Sequence, residues 1–234
     1  MVIRCAVLLI ASCGCKSSAF PFRTDGRFGE TSAPKVISKT RSESACKIIY
    51  AGFVGAMETS GHKASGVVQI RDILRGPGYP DVCANSFLPY HPSTGLDWIL
   101  EHFASHPGPI SIEEVHNASK IILIGHSTGG WAMLRVAREL QRRNIPVELT
   151  IQVDSVGIAD VTIPSNVKAG AIYHAHDFLM FMTTKRLRLQ DSAKTRIVAD
   201  VLVKGVNHLS ITRDPRILEL ILKTIEHLRV GINP

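Results

Sequence analysis

From residue 47 onward, short apolar runs alternate with stretches whose apolar positions recur every three to four residues. Lys47-Ile48-Ile49-Tyr50-Ala51 is an apolar run closed by Gly52, the pattern of a strand buried on both faces. Across residues 62–75, Val67, Ile70 and Leu74 fall at helical spacing, and Gly76 supplies a stop. Residues 82–90 predict a second strand of mixed pattern. Leu96, Ile99, Leu100 and Phe103 then form the stripe of an amphipathic helix, with Thr94 and Asp97 as its N-terminal cap. Residues 120–124 give the clearest strand of the chain. The helix predicted after it, 128–143, sets Arg135, Arg138 and Arg142 opposite Met133, Ala137 and Leu140. Residues 147–153, 169–173 and 196–203 read as further strands. In the terminal helix Asp214 is the cap, Pro215 fills the first turn, Ile217, Ile221, Ile225 and Leu228 share a face, and Gly231 ends it.

About six strands interleaved with helices imply an α/β fold with a mainly parallel sheet, because parallel neighbours need crossovers of helix length. In such sheets, sites form at the carboxyl ends of the strands. The chain has 234 residues, 45% hydrophobic and 20% charged, which fits one globular domain with a short appendage and excludes a disordered or fibrous chain. No apolar run reaches the length of a spanning helix. Lys and Arg exceed Asp and Glu by 27 to 20, giving +7. That surplus is scattered, without a basic tail or aromatic–basic interleaving, so no nucleic-acid partner is expected.

The amino terminus has a different character. Arg4 precedes an apolar stretch over residues 5–11, and small residues follow, the layout of a secretory signal over residues 1–19. Ile10-Ala11-Ser12-Cys13 resembles the lipobox of bacterial lipoproteins, in which Cys13 would carry the lipid and anchor the protein to a membrane of the cell envelope. Ser17-Ser18-Ala19 suits ordinary signal cleavage and plain secretion instead. The anchored form is preferred. Residues 20–44, rich in Ser, Thr, Arg, Gly and Pro, read as a linker, and residues 45–234 as the folded domain. Cys46 and Cys83 each stand at the start of a predicted strand; a bridge between neighbouring strands and two free thiols both fit.

The strongest chemical signal is Gly125-His126-Ser127-Thr128-Gly129-Gly130, directly after one strand and directly before a helix. A G-x-S-x-G pattern is expected by chance about 0.1 times in a chain of this composition, and the strand–turn–helix context makes coincidence rarer still. The turn is so tight that flanking positions cannot carry side chains, hence Gly125 and Gly129. It lifts the Ser127 hydroxyl clear of the sheet at the positive end of a helix.

On these residues the chain resembles the α/β-hydrolase superfamily, in its small, cap-less thioesterase- or lipase-like branch, over about residues 45–232. The segments Ile151-Gln152-Val153-Asp154-Ser155-Val156-Gly157 and Gly205-Val206-Asn207-His208-Leu209 carry the likeness further. The resemblance implies a nucleophile, acid, base order. Of the histidines after residue 127, namely His174, His176, His208 and His227, it is His208 that follows the last strand, where the superfamily keeps its base. For the acid, Asp154 ends the strand after the elbow helix and is preferred; Asp177 is the alternative, at the position most of the superfamily uses. A tetrahedral oxyanion needs two amide donors. The resemblance assigns one to Thr128 and the other to Phe53, in a loop where Ala51-Gly52 stands in place of the usual His-Gly. Val54, Phe178 and Phe181 are the expected substrate contacts. The apolar run Phe178-Leu179-Met180-Phe181-Met182 reads either as the wall of an acyl pocket or as a core-packed helix.

The expected function is therefore cleavage of carboxylic esters or thioesters through an acyl-enzyme, with short or soluble acyl substrates in a fairly open cleft. Cofactors and metals are not expected, since the His and Cys spacings match no ligand set and phosphate-loop motifs are absent. Two other readings stay open. One is a triad enzyme acting on amides, lactones or acyl transfer; the other is an envelope-anchored binding protein without turnover.

Overall fold

A computed structural model of the chain describes residues 46–61, 63–104, 119–156, 161–176, 183–184 and 186–231. The expectations for the signal segment, Cys13, the linker, Asp177, Phe178 and Phe181 lie outside these residues. In chain order the elements are β1 (Ile48–Phe53), α1 (Gly66–Leu74), β2 (Val82–Phe87), α2 (Pro92–Ala104), β3 (Lys120–His126) and α3 (Thr128–Arg142). They continue as β4 (Val147–Val153), β5 (Thr162–Ile163), β6 (Val167–Ala175), β7 (Arg188–Leu189), β8 (Arg196–Val203), a 3₁₀ turn (Ile211–Arg213) and α4 (Pro215–Arg229).

Six strands make one sheet in the order β2-β1-β3-β4-β6-β8, and every pairing in it is parallel. The fold class expected from the alternation, a parallel sheet of about six strands flanked by helices, is the one observed. Central strands are apolar on both faces because both are covered: every residue of β1 is buried. Ile48, Tyr50, Ile122, Ile124 and Ile151 pack with α1 and α4, whereas Ile49, Ala51, Ile121 and Leu123 pack with α2 and α3. Tyr50 is tolerated at the centre because its hydroxyl donates to the Val67 carbonyl at 3.0 Å. Cys46 and Cys83 are joined by a disulfide, with Cα atoms 5.7 Å apart, which ties the start of β1 to β2.

Several boundaries differ from expectation for local reasons. The first helix starts at Gly66 rather than at residue 62, where its backbone meets Thr212; the Gly66 amide lies 3.3 Å from Thr212 Oγ1. β2 stops at Phe87, two positions before Pro89, which could not have donated to the ladder. α2 begins at Pro92, so Thr94 sits inside its first turn, with its amide on the His91 carbonyl at 3.2 Å, and is not the cap. β6 extends past 169–173 at both ends. The two-residue strands β5 and β7, which pair with each other, were not foreseen; so short a run carries no periodicity.

Strand order decides where a site can form. From β1 the chain steps to β2 on one side, then returns to β3 on the other, so the strand order reverses between β1 and β3, and the carboxyl ends of these two strands are where a site is expected.

Candidate active site

Ser127 stands at the carboxyl end of β3, between β3 and α3. Its φ of 54° and ψ of −124° lie outside the regions ordinary side chains favour, the mark of a sharp strand-to-helix turn. The surroundings over-determine this conformation. The Ser127 amide donates to the Val153 carbonyl, and the Ser127 carbonyl accepts from the Val156 amide, both at 3.1 Å. A Cβ on Gly125 would stand 2.4 Å from the Gly129 carbonyl oxygen, which explains why the turn admits only glycine there. Thr128 opens α3, so its N–H belongs to the first turn, where no helical carbonyl is available to it.

Asp154 follows β4 immediately. Its φ of 44° is one that Asp tolerates better than most residues, and it turns the carboxylate off the strand. That carboxylate is fully buried. Oδ1 accepts from the Ala175 amide at 3.1 Å, and Oδ2 lies 2.6 Å from His208 Nδ1.

His208 comes from the other side of the sheet, in the loop between β8 and α4. Asn207 shapes that loop: its Oδ1 accepts from the amides of Leu209 and Ser210, each at 3.0 Å, a side chain standing in for a backbone turn. The turn delivers the imidazole inward, where Nε2 is 2.9 Å from Ser127 Oγ. Ser127, His208 and Asp154 thus form one chain of contacts, and all three are buried. The other histidines weighed as a base stand elsewhere: His174 Nε2 lies 3.5 Å from Asp200 Oδ1, and His227 is exposed on α4.

The loop after β1 passes over the serine. A Cβ on Gly55 would be 3.4 Å from Ser127 Cβ. Within this loop the Val54 amide donates to the Phe87 carbonyl at 3.1 Å, and the Gly55 amide to Glu58 Oε2 at 2.8 Å. Phe53 closes β1 with its ring in the core, 5.7 Å from that of Phe87. Val54 is a correction to the expected substrate contacts. Its side chain is fully buried in the same apolar cluster as Val67 and Ile211, leaving no surface for a ligand to touch.

Two residues that were given no role stand beside the three. His126, the residue before the serine, is 3% exposed. Its Nε2 lies 3.0 Å from the His208 carbonyl oxygen, and its Nδ1 lies 3.2 Å from Glu58 Oε2. Burial alone would raise the Glu58 carboxyl, but the hydrogen bond and charge of His126, with the Gly55 amide, more than offset it and hold Glu58 at about 2. His126 is one of the variable positions of the G-x-S-x-G pattern, and Glu58 lies in a stretch without periodicity, so neither had a local signal.

No family model and no curated protein matches the chain. Among solved structures, similarity of chain path extends to the NocB thioesterase domain from the nocardicin cluster, at 13% identity over 80% of this chain and 96% of that one, with a TM-score of 0.46. A cutinase-like protein from Cryptococcus sp. is 15% identical over 83% of this chain and 100% of its own, with a TM-score of 0.42. A dienelactone hydrolase from Anabaena variabilis is 13% identical over 81% of this chain and 88% of its own, with a TM-score of 0.45. Likeness this distant carries no chemistry across, so the functional reading rests on the geometry of the site itself.

Proposed function

We propose that this protein is a serine hydrolase that cleaves carboxylic esters or thioesters through an acyl-enzyme, with Ser127 as nucleophile, His208 as base and Asp154 as the acid that orients it. The observation that carries the reading is the contact chain Ser127 Oγ–His208 Nε2 at 2.9 Å and His208 Nδ1–Asp154 Oδ2 at 2.6 Å. A serine hydroxyl is a weak nucleophile unless a neighbouring base removes its proton as it attacks. His208 Nε2 is within reach to do so, and the buried Asp154 carboxylate holds Nδ1–H, which leaves Nε2 free to accept and stabilises the imidazolium that forms.

Attack of Oγ on the carbonyl carbon converts it to a tetrahedral oxyanion. The Thr128 amide, at the positive end of α3, is one donor to it, and the second belongs to the end of β1 and its loop, for which Phe53 is the expected position; the amides of Val54 and Gly55 are engaged by protein acceptors. Collapse expels the alcohol or thiol, protonated by His208. Water, activated by the same imidazole, then releases the acid and restores Ser127. A rigid elbow suits this sequence, because the hydroxyl is aimed before substrate arrives.

The test is labelling with a fluorophosphonate, beside Ser127→Ala, followed by turnover of chromogenic esters of increasing chain length. Labelling confined to the wild type supports the reading. No labelling of folded wild type, or labelling that persists in Ser127→Ala, would remove it.

Export completes the proposal, with Cys13 as the lipid-bearing residue of an envelope-anchored form. The Cys46–Cys83 bridge supports an oxidising compartment, where such bonds persist. Metabolic labelling with a fatty acid, lost in Cys13→Ser, checks the anchor.

A further inference from the structure

We infer that Glu58 and His126 act together as a positioning pair for His208, clamping the backbone of the base while Asp154 holds its ring; the inference rests on the hydrolase reading above. The need for such a clamp follows from the strand order. His208 hangs from β8, at the edge of the sheet, whereas Ser127 follows β3, and β4 and β6 lie between them. The neighbours of His208 in its loop, Asn207 and Leu209, are exposed. The bonds at Nδ1 and Nε2 hold atoms of the ring, not the backbone that carries it.

His126 holds that backbone. The His208 carbonyl can only accept, so His126 Nε2 carries the proton of the 3.0 Å bond between them. On the other side of the ring, His126 Nδ1 lies 3.2 Å from Glu58 Oε2. Glu58 is in turn fixed by the Gly55 amide at 2.8 Å, in the loop that passes over the serine. The loop after β1, the end of β3 and the loop after β8 are thereby linked through one carboxylate and one imidazole. The rings of His126 and His208 are 5.1 Å apart.

The pair makes a specific demand on substitutions. Glu58→Ala leaves Nδ1 and the Gly55 amide without their partner. Glu58→Gln can keep both contacts, its amide oxygen taking the place of the one oxygen, Oε2, that faces both the Gly55 amide and Nδ1. His126→Ala removes the clamp itself. The experiment measures fluorophosphonate acylation and ester kinetics per titrated serine, well below the melting temperature of each variant. Expected are a fall in kcat of about 10- to 100-fold in Glu58→Ala and His126→Ala with KM little changed. Glu58→Gln should stay within about threefold of wild type, and the double alanine variant should be no worse than His126→Ala alone. Wild-type acylation rates in folded Glu58→Ala would overturn the inference and leave the hydrolase reading intact. So would additive losses, or a Glu58→Gln as impaired as the alanine. An unlabelled wild type would overturn both.

Discussion

Gly129 lies directly against the carbonyl of Phe53: a Cβ on residue 129 would stand 2.1 Å from that oxygen and 2.6 Å from the oxygen of Val54. Both obstacles are backbone, so neither can rotate away. The elbow helix and the end of β1 therefore meet at a distance only glycine permits. Gly129→Ala is expected to lose about 2–3 kcal/mol of stability and to lower acylation of Ser127 more than it changes ester KM. Urea unfolding and labelling rates report the two effects; unchanged values for both would refute the packing account.

Ser127 holds a backbone conformation that costs about 1–3 kcal/mol in a residue with a Cβ. Ser127→Gly should relieve much of it. The expected variant melts higher than wild type, binds no fluorophosphonate and turns over no ester. A glycine variant that melts lower would show that the strain has been misjudged.

Asp154 offers an exact hydrogen-bond test. Its Oδ1 accepts from the Ala175 amide, so an asparagine must present its oxygen there and its NH₂ to His208 Nδ1. That reverses the tautomer, and Nε2 then bears a proton towards Ser127 instead of accepting one. Asp154→Asn should stay folded and lose about 10³–10⁴ in kcat. Retained turnover would pass the acid role to another carboxylate, with Asp177 the first to replace.

Glu58 couples the site to acid stability. A carboxyl held at about 2 in the folded chain, below its ordinary value of 4.5, favours folding above pH 4.5, and the contribution is lost as pH falls through about 2. The difference in denaturant midpoint between wild type and Glu58→Gln should be flat above about pH 5 and shrink steadily towards pH 2. A difference that grows on acidification would contradict the sign.

The Cys46–Cys83 bridge closes a loop of sequence separation 37 that includes β1 and α1. Loop-closure entropy puts its removal at about 4 kcal/mol. Paired Cys→Ser variants, or reductant in the unfolding buffer, should lower the urea midpoint accordingly; free thiol titration of the native protein should find neither cysteine reactive.

Local pattern alone determined the elements and the elbow. β4 and β8 run over the residues their periodicity marks, and Asp214, Pro215 and Gly231 delimit α4 as punctuation predicts, with the Asp214 side chain accepting from the Arg216 amide. Gly125 and Gly129 are legible because a steric requirement acts between residues a few positions apart. What met what was decided by the tertiary structure. Whether Cys46 and Cys83 pair depends on β1 and β2 being neighbours, and whether His208 reaches Ser127 depends on a loop crossing two strands. Val54 reads as a loop residue but is core, and Glu58 reads as an ordinary loop carboxylate but is half-buried against His126. The reason is range. Helix and strand signals repeat within one element, whereas the His208–Ser127 contact joins positions 81 residues apart, and only the assembled sheet brings them within a hydrogen bond of one another.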